Sequence, residues 1–415
     1  MERALLVLVH RRGDAWTAEE EAAELVALAR SAGAEVAGVV VQSRPEADPA
    51  TLIGRGKVEE VRAELSRTGA GLVVVAPELT PAQQRNLERA LEAVVIDRTQ
   101  LVLDIFAQRA RTREGALQVE LAQLRYLLPR LAGMGRALSR LGGGIGTRGP
   151  GETKLEADRR RLRERIRALE REIEAVRRHR DVLRAGRARL DLPVVALVGY
   201  TNAGKSTLFN ALTGAGVRAE DALFATLDPT ARRAQLGGRT VILTDTVGFI
   251  HDLPHTLVAA FRATLEEAAL ADILLHVLDI SRDGWEERMA AVDEVLDEIG
   301  AGAVPRLTVL NQIDRLPGGA AEARRRLPAG VPLSARTGEG LDALGERVAE
   351  LVARCERLAA WLIPYERLRV LDWLRRAGRV ERVEYTDAGV RVVAWCDEAT
   401  ARRVKSALEA PAARG

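Results

Sequence analysis

The sequence predicts a multidomain α/β protein. An N-terminal parallel α/β domain covers residues 1–100, an antiparallel helical hairpin 101–190, a larger α/β domain 191–357 and a small α+β domain 358–415. Three observations predict it. Short apolar runs alternate with helical stretches through the first hundred residues. Two leucine-rich segments with four-and-three spacing then flank a glycine-rich loop. Beyond them, successive apolar runs each end in a turn carrying Gly, Asp, Asn or Ser, as strands of a buried parallel sheet do.

In the first domain, Leu5–Val9, Ala34–Val41, Leu72–Ala76 and Ala93–Ile96 have the length and composition of buried strands. Helical stretches near Thr17–Ser31, Lys57–Arg67 and Pro81–Leu91 separate them, which argues for a parallel sheet with crossover helices. Gly54-Arg55-Gly56-Lys57 has some likeness to a phosphate loop but lacks a preceding buried strand. It reads as a helix-entry turn.

The second region differs in kind. Leu117, Leu121, Leu124, Leu128 and Leu131 form one seam, and Leu162, Ile166, Leu169, Ile173 and Val176 another, which suggests two helices zipped as a coiled-coil hairpin. The loop 133–151 between them holds eight glycines. From Asp158 to Arg189 there are 13 arginines against six acids, a local excess of seven positive charges in a chain whose net charge is only +3. Each Arg taken singly is an ordinary solvated position on a coiled coil. Together with the glycine-rich loop they point to an arm that grips an RNA phosphate backbone. Aromatics make up 3% of residues, so base stacking is not the expected mode.

The third region carries the chemistry. The apolar run Pro193–Val198 is followed by Gly199, Tyr200, Thr201, Asn202, Ala203, Gly204, Lys205, Ser206 and Thr207, and then by a helix. Strand, glycine-rich loop, Lys-Ser and helix form the context in which such a loop cradles phosphates with backbone N–H groups. Lys205 is placed to reach the β/γ-phosphates and Ser206 to put its hydroxyl on Mg²⁺. A second run, Val241–Leu243, leads into Thr244-Asp245-Thr246-Val247-Gly248. There Asp245 would hold Mg²⁺ through water, and the Gly248 N–H would meet the γ-phosphate. A third run ends in Asn311-Gln312-Ile313-Asp314. The Asp314 carboxylate matches the N1–H and 2-amino donors of guanine; adenine offers neither and would leave it desolvated and unpaired. A fourth, short run ends in Ser334-Ala335-Arg336, where the Ala335 N–H would donate to guanine O6.

Between the first two elements, Phe224-Ala225-Thr226-Leu227-Asp228-Pro229-Thr230 occupies the place of a switch loop. One of its threonines should ligate Mg²⁺ and sense the γ-phosphate. Thr226 is preferred and Thr230 held in reserve, since spacing alone does not separate them. Four elements in this order define a P-loop GTPase domain binding GTP or GDP with Mg²⁺, with Lys205, Thr226 and Gly248 expected to act on the γ-phosphate. Two residues depart from the usual pattern. Gln312 stands where a Lys stem normally packs on the purine, and Phe249 stands where a Gln orients the attacking water. An apolar ring cannot position water, so unassisted hydrolysis should be slow and should need a partner, or a group such as His251 or His255 brought in by one.

In the last region Trp361-Leu362-Ile363-Pro364 is followed by a helix to about Arg376, and Val380–Tyr385 and Val390–Trp395 pair as a hairpin before a final helix. Hydrophobic residues make up 47% of the chain, enough for real cores. Cys355 and Cys396 show neither metal nor disulfide spacing, which suits a reducing compartment. No run approaches the roughly twenty apolar residues that span a bilayer. The expectation is a monomeric, cytoplasmic protein without membrane insertion.

With these motifs placed, the chain resembles the HflX family of ribosome-associated GTPases over nearly its full length. The resemblance is carried by Gly54-Arg55-Gly56-Lys57-Val58-Glu59-Glu60, by Gly146-Thr147-Arg148-Gly149-Pro150-Gly151-Glu152-Thr153-Lys154-Leu155-Glu156 with Asp158-Arg159-Arg160, by Gly199 to Thr207, by Phe224 to Thr230 and by Asp245-Thr246-Val247-Gly248-Phe249-Ile250. It implies a GTP-dependent factor that binds the large ribosomal subunit and its RNA, with a ribosome-bound fraction in the cytoplasm. It further implies a role in splitting stalled or idle ribosomes, notably under stress, and an arm whose glycine-rich loop reaches toward the peptidyl-transferase region. By motif position Thr226 matches the family's Mg²⁺-ligating threonine. Phe249 goes with weak intrinsic turnover stimulated by the ribosome. The family usually has Lys where Gln312 stands. The alternative reading is an RNA-binding or remodelling protein in which nucleotide occupancy is a conformational latch.

Overall fold

A computed structural model describes residues 2–11, 16–139, 154–187, 192–214, 223–224, 230–251, 265, 267–355, 357–377, 379–396 and 398–409. In the first domain β1 (Arg3–Arg11), β2 (Glu35–Arg44), β3 (Leu72–Ala76) and β4 (Val94–Asp97) form a parallel sheet in the order β2-β1-β3-β4. The crossover helices are α1 (Ala18–Ser31), α2 (Arg55–Thr68) and α3 (Pro81–Leu91). Their starts follow from local chemistry. Thr17 and Thr80 each accept the N–H of the residue three on, and Glu20 and Gln83 reach back to the cap N–H, two reciprocal capping boxes. Gly54 is the cap of α2 and donates its N–H to Gln42 Oε1 at 3.1 Å, while Lys57 pairs with Glu60; this is the helix-entry turn expected there.

A fourth helix, α4 (Arg98–Arg109), follows β4 directly, capped by Asp97. Its Leu101, Val102, Leu103, Ile105 and Phe106 are all buried. Helix α4 is one of the elements through which the first domain meets the nucleotide domain, together with α1 and Trp16. Phe106 packs edge-on against Phe224, ring centroids 4.6 Å apart. One apolar cluster runs from Leu6 and Leu28 through Phe106 to Phe224, Phe249 and Leu274.

The arm consists of α5 (Arg113–Ser139) and α6 (Lys154–Arg187). Leu117, Leu121 and Leu169 form its buried seam, flanked by Leu124, Ile166, Ile173 and Val176. Arg165 with Glu120 and Arg125 with Glu170 pair across the two helices. Helix α5 continues through residues 133–139 of the expected glycine-rich loop, and the rest of that loop, 140–151, lies outside the described residues, as do 152 and 153. The arm is anchored by a pair that sequence reading had not singled out. Arg130 of α5 donates to Asp97 Oδ2 at 2.9 Å and to the Leu79 carbonyl at 2.7 Å, and its guanidinium lies 3.5 Å above the Tyr126 ring. Asp97 is fully buried, so this ion pair is worth most as a constraint: removing one partner strands the other charge.

The nucleotide domain has a six-stranded sheet in the order β10-β9-β8-β5-β7-β6. The strands are β5 (Val194–Val198), β6 (Thr230–Leu236), β7 (Arg239–Asp245), β8 (Ile273–Asp279), β9 (Arg306–Asn311) and β10 (Val331–Pro332). All neighbours are parallel except β6 with β7, a hairpin turning at Gly237-Gly238. Its helices include α7 (Lys205–Thr213), α8 (Trp285–Glu298), α9 (Gly319–Arg326) and α10 (Leu341–Cys355). The last domain is a three-stranded antiparallel sheet, β11 (Arg357–Ile363), β12 (Arg379–Thr386) and β13 (Gly389–Cys396), with β13 in the middle. Helices α11 (Arg369–Ala377) and α12 (Glu398–Glu409) complete it. The expected hairpin is β12-β13; the segment ending at Ile363 is a third strand rather than a lead into a helix. Among the described residues no helix is long and apolar enough to cross a membrane.

Candidate nucleotide site

The site lies at the carboxyl ends of β5, β7 and β9, the position at which open α/β sheets bind ligands. Two glycines are fixed by geometry. Gly199 sits at φ 150°, where an added Cβ would lie 2.3 Å from the Val277 carbonyl oxygen. Gly204 sits at φ 92°, and its Cβ would fall 2.3 Å from Asn311 Nδ2. Only glycine lets the loop turn there and pass so close to β8 and to the Asn311 side chain.

Lys205, at the first turn of α7, is buried, and its ammonium donates to the carbonyls of Gly199 at 2.9 Å and Tyr200 at 2.7 Å. Burial pushes it down to about 8, against the pull of the Asp245 carboxylate. Phosphate oxygens would relieve that burial, so an anion in the loop favours the charged lysine. Ser206 Oγ donates to Asp245 Oδ2 at 2.8 Å, which brings together the two groups expected around Mg²⁺. A hydroxyl and a carboxylate side by side are oxygen donors of the kind a hard cation takes. Gly248 is close by: a Cβ on it would be 2.9 Å from Lys205 Nζ and 2.8 Å from Thr201 Cγ2. Thr246 Oγ1 donates to the Leu197 carbonyl at 2.6 Å, and Val247 is buried in the interdomain cluster. Phe249 is 1% exposed; its carbonyl accepts the Thr201 N–H at 2.7 Å, and it belongs to the interdomain core cluster.

The base side is built by Asn311. Its Nδ2 donates to the Ala203 carbonyl at 2.7 Å and its Oδ1 accepts the Ala335 N–H at 3.0 Å, so one buried side chain ties the phosphate loop to the Ser334-Ala335-Arg336 turn. The Ala335 N–H, expected to meet guanine O6, is thus engaged by Asn311 here. Gln312 takes φ 65° and donates to the Asn202 carbonyl at 3.0 Å. In place of a stem on the purine it supplies a second tie to the phosphate loop. Ile313 is buried beneath. Asp314 Oδ1 accepts from Ser334 Oγ at 2.7 Å, and Oδ2 pairs with Arg336 at 2.9 Å. A cavity of about 240 Å³ opens here, lined by Asn202, Gly204, Thr207, Asp314, Ala335 and Arg336 among others.

The structure therefore brings together Gly199 to Thr207, Asp245 to Gly248, Asn311 to Asp314 and Ser334 to Arg336. Phe224 is turned toward Phe106 at φ 58°. Ala225, Thr226, Leu227 and Asp228 lie outside the described residues, as does His255. Thr230 heads β6 in register with Asp245.

A further set of contacts was not visible in the motifs. The Tyr200 hydroxyl donates to Glu24 of α1 and accepts the His251 N–H at 2.7 Å. Arg98 of α4 pairs with Glu24 and also donates to the His251 carbonyl. The His251 ring stacks on Trp16, centroids 4.7 Å apart, and the Tyr200 ring also stacks with Trp16 at 5.9 Å. Burial first, and then Glu24, hold the Tyr200 phenol well above its usual value, so it remains a donor at neutral pH. The only sequence signal for this cluster was an aromatic in the second position of the phosphate loop.

A phosphate loop, a Ser–Asp pair at its foot and an Asn-x-x-Asp base pocket on one sheet edge define a P-loop GTPase. Comparison with known proteins agrees. Residues 19–107, 109–187 and 194–312 match family models described as GTP-binding GTPase N-terminal, GTP-binding GTPase Middle Region and 50S ribosome-binding GTPase. The GTPase HflX of Caldanaerobacter subterraneus subsp. tengcongensis is 49% identical over 398 residues, covering 95% of this chain and 90% of that protein. That of Escherichia coli K12 is 50% identical over 362 residues, covering 85% and 84%. A solved GTP-binding protein from Sulfolobus solfataricus, in complex with GDP, is 26% identical, covers 85% of this chain and 98% of its own, and gives a TM-score of 0.44. The chain belongs to the HflX family of GTPases.

Proposed function

We propose that this GTPase binds the large ribosomal subunit in its GTP state and separates stalled or idle ribosomes. The observation that carries the proposal is a continuous path from the phosphate loop to the arm. Tyr200 in the loop bonds Glu24, Glu24 pairs with Arg98, and the adjacent Asp97 holds Arg130 of the arm helix α5. Nucleotide that displaces the loop or the His251 segment thereby acts on the element that carries the arm. The arm presents Arg160, Arg161, Arg163, Arg167, Arg171, Arg177 and Arg178 as exposed side chains, suited to a phosphate backbone. The family model over residues 194–312, described as a 50S ribosome-binding GTPase, supports the same partner.

In this reading Ser206, Asp245 through water, and Thr226 would hold Mg²⁺, which would neutralise phosphate charge. Lys205 and the Gly248 N–H meet the γ-phosphate, and Asp314 selects guanine. Phe249, the residue after Gly248, is buried and apolar and cannot itself orient water. Turnover therefore depends on the ribosome completing the site. The test is sucrose-gradient analysis of purified 70S ribosomes incubated with the protein and GTP, GDP or no nucleotide. GTP should convert the 70S peak into subunits and GDP should not; an unchanged 70S peak with GTP contradicts the proposal.

A further inference from the structure

The guanine pocket already contains a group with the hydrogen-bonding face of its ligand. Asp314 Oδ2 is paired at 2.9 Å with Arg336, while Oδ1 accepts the Ser334 hydroxyl at 2.7 Å. A guanidinium offers planar N–H donors, and the donor edge of guanine, N1–H with the 2-amino group, is itself a guanidine embedded in a ring. Both residues line the cavity; the Arg336 side chain is 70% exposed and the Asp314 side chain 12%. The carboxylate that should read the base is thus partly desolvated and already satisfied. The arginine that satisfies it remains largely in water and leaves at little cost.

We propose that Arg336 is an internal competitor for guanine. It holds the Asp314 carboxylate when the base is absent and must swing away for the base to bind, which lowers nucleotide affinity. This rests on the assignment of Asp314 to guanine recognition. Gln312, which contributes no cationic stem over the purine, acts in the same direction, toward weaker retention of nucleotide.

The magnitude follows from exposure. An exposed ion pair contributes up to about 1 kcal/mol, so release of Asp314 should tighten binding by about two- to fivefold. The experiment is titration of full-length protein with a fluorescent GDP analogue, comparing wild type with Arg336→Gln at low and at high salt. Arg336→Gln should bind GDP about two- to fivefold more tightly at low salt, with the difference shrinking at high salt as the pair is screened. A second comparison uses xanthosine diphosphate on the Asp314→Asn background, where there is no carboxylate to occupy. There, adding Arg336→Gln should change nothing. Unchanged or weakened GDP binding by Arg336→Gln, or an equal gain on the Asp314→Asn background, overturns the proposal. If Asp314→Asn alone binds GDP as well as wild type, it is the guanine assignment that fails, and that outcome is separate from the behaviour of Arg336.

Discussion

Asn311 ties together the two loops of the candidate nucleotide site, and its removal has a consequence that can be sized. It is 2% exposed and makes two hydrogen bonds to buried backbone, from Nδ2 to the Ala203 carbonyl and to Oδ1 from the Ala335 N–H. Asn311→Ala leaves a carbonyl and an N–H without these partners in a close-packed place, each costing about 1–3 kcal/mol. The sum, about 2–6 kcal/mol, falls on the relation between the phosphate loop and the base-recognition turn. Part appears as lost stability. The rest appears as lost affinity, because nucleotide must hold together two loops no longer joined. We expect a lower melting temperature without nucleotide and GDP binding weakened at least about tenfold, the equivalent of 1.4 kcal/mol. Asn311→Asp separates the two bonds. It keeps an acceptor for Ala335 but sets a carboxylate against the Ala203 carbonyl, so it should bind no better than Asn311→Ala. Thermal unfolding and titration with a fluorescent GDP analogue read both quantities. Asn311→Ala with an unchanged melting temperature and GDP affinity within about twofold of wild type would refute the reasoning.

Three further expectations follow from particular residues. Asp314→Asn should shift preference from guanine to xanthine nucleotide by about 1–3 kcal/mol, since the amide now offers a donor to the xanthine 2-oxygen; equal GTP affinity in competition binding would remove Asp314 from base selection. His276 is 1% exposed, and burial first, then Arg306 and Lys205, push it from 6.5 down to about 3. The folded state therefore binds fewer protons than the unfolded one below pH 6.5, and stability falls as pH drops from 6.5 toward 3. By pH 5 the loss is about 2 kcal/mol from this group, and it should vanish in His276→Asn when melting is followed between pH 7.5 and 5. On the arm, replacing Arg159, Arg160 and Arg161 together by Glu should abolish ribosome-stimulated turnover and leave GDP affinity unchanged. Full stimulation in that variant would mean that the arm is not the docking element.

What was legible in the sequence was local. The phosphate loop, Asp245–Gly248, Asn311–Asp314 and Ser334–Arg336 are each a few residues long, and each needs its own residue types for its own backbone turn. The seam through Leu117, Leu121 and Leu169 was legible because a heptad repeats. The β6–β7 hairpin was overlooked although Gly237-Gly238 between two strand-like runs is a hairpin signal. Strand β11 was overlooked because its partner, β13, lies some thirty residues on and pairing leaves no mark on Leu358–Ile363 themselves. The interdomain cluster was the least legible of all. Trp16, Glu24, Arg98, Tyr200 and His251 come from five places in the chain, with no period and no shared motif. Burial of Phe249 belongs with it. Its place after Gly248 shows what an apolar ring cannot do to water but not that the ring is part of the interdomain core.

The central claim, that a guanine-nucleotide switch is completed by the ribosome, is tested most directly by GTP turnover measured with and without purified large ribosomal subunits across a salt series. The account predicts slow turnover alone, marked stimulation by large subunits at low salt, and steep loss of that stimulation as salt screens the arm from phosphate. Turnover that is the same with and without large subunits at every salt concentration would contradict it.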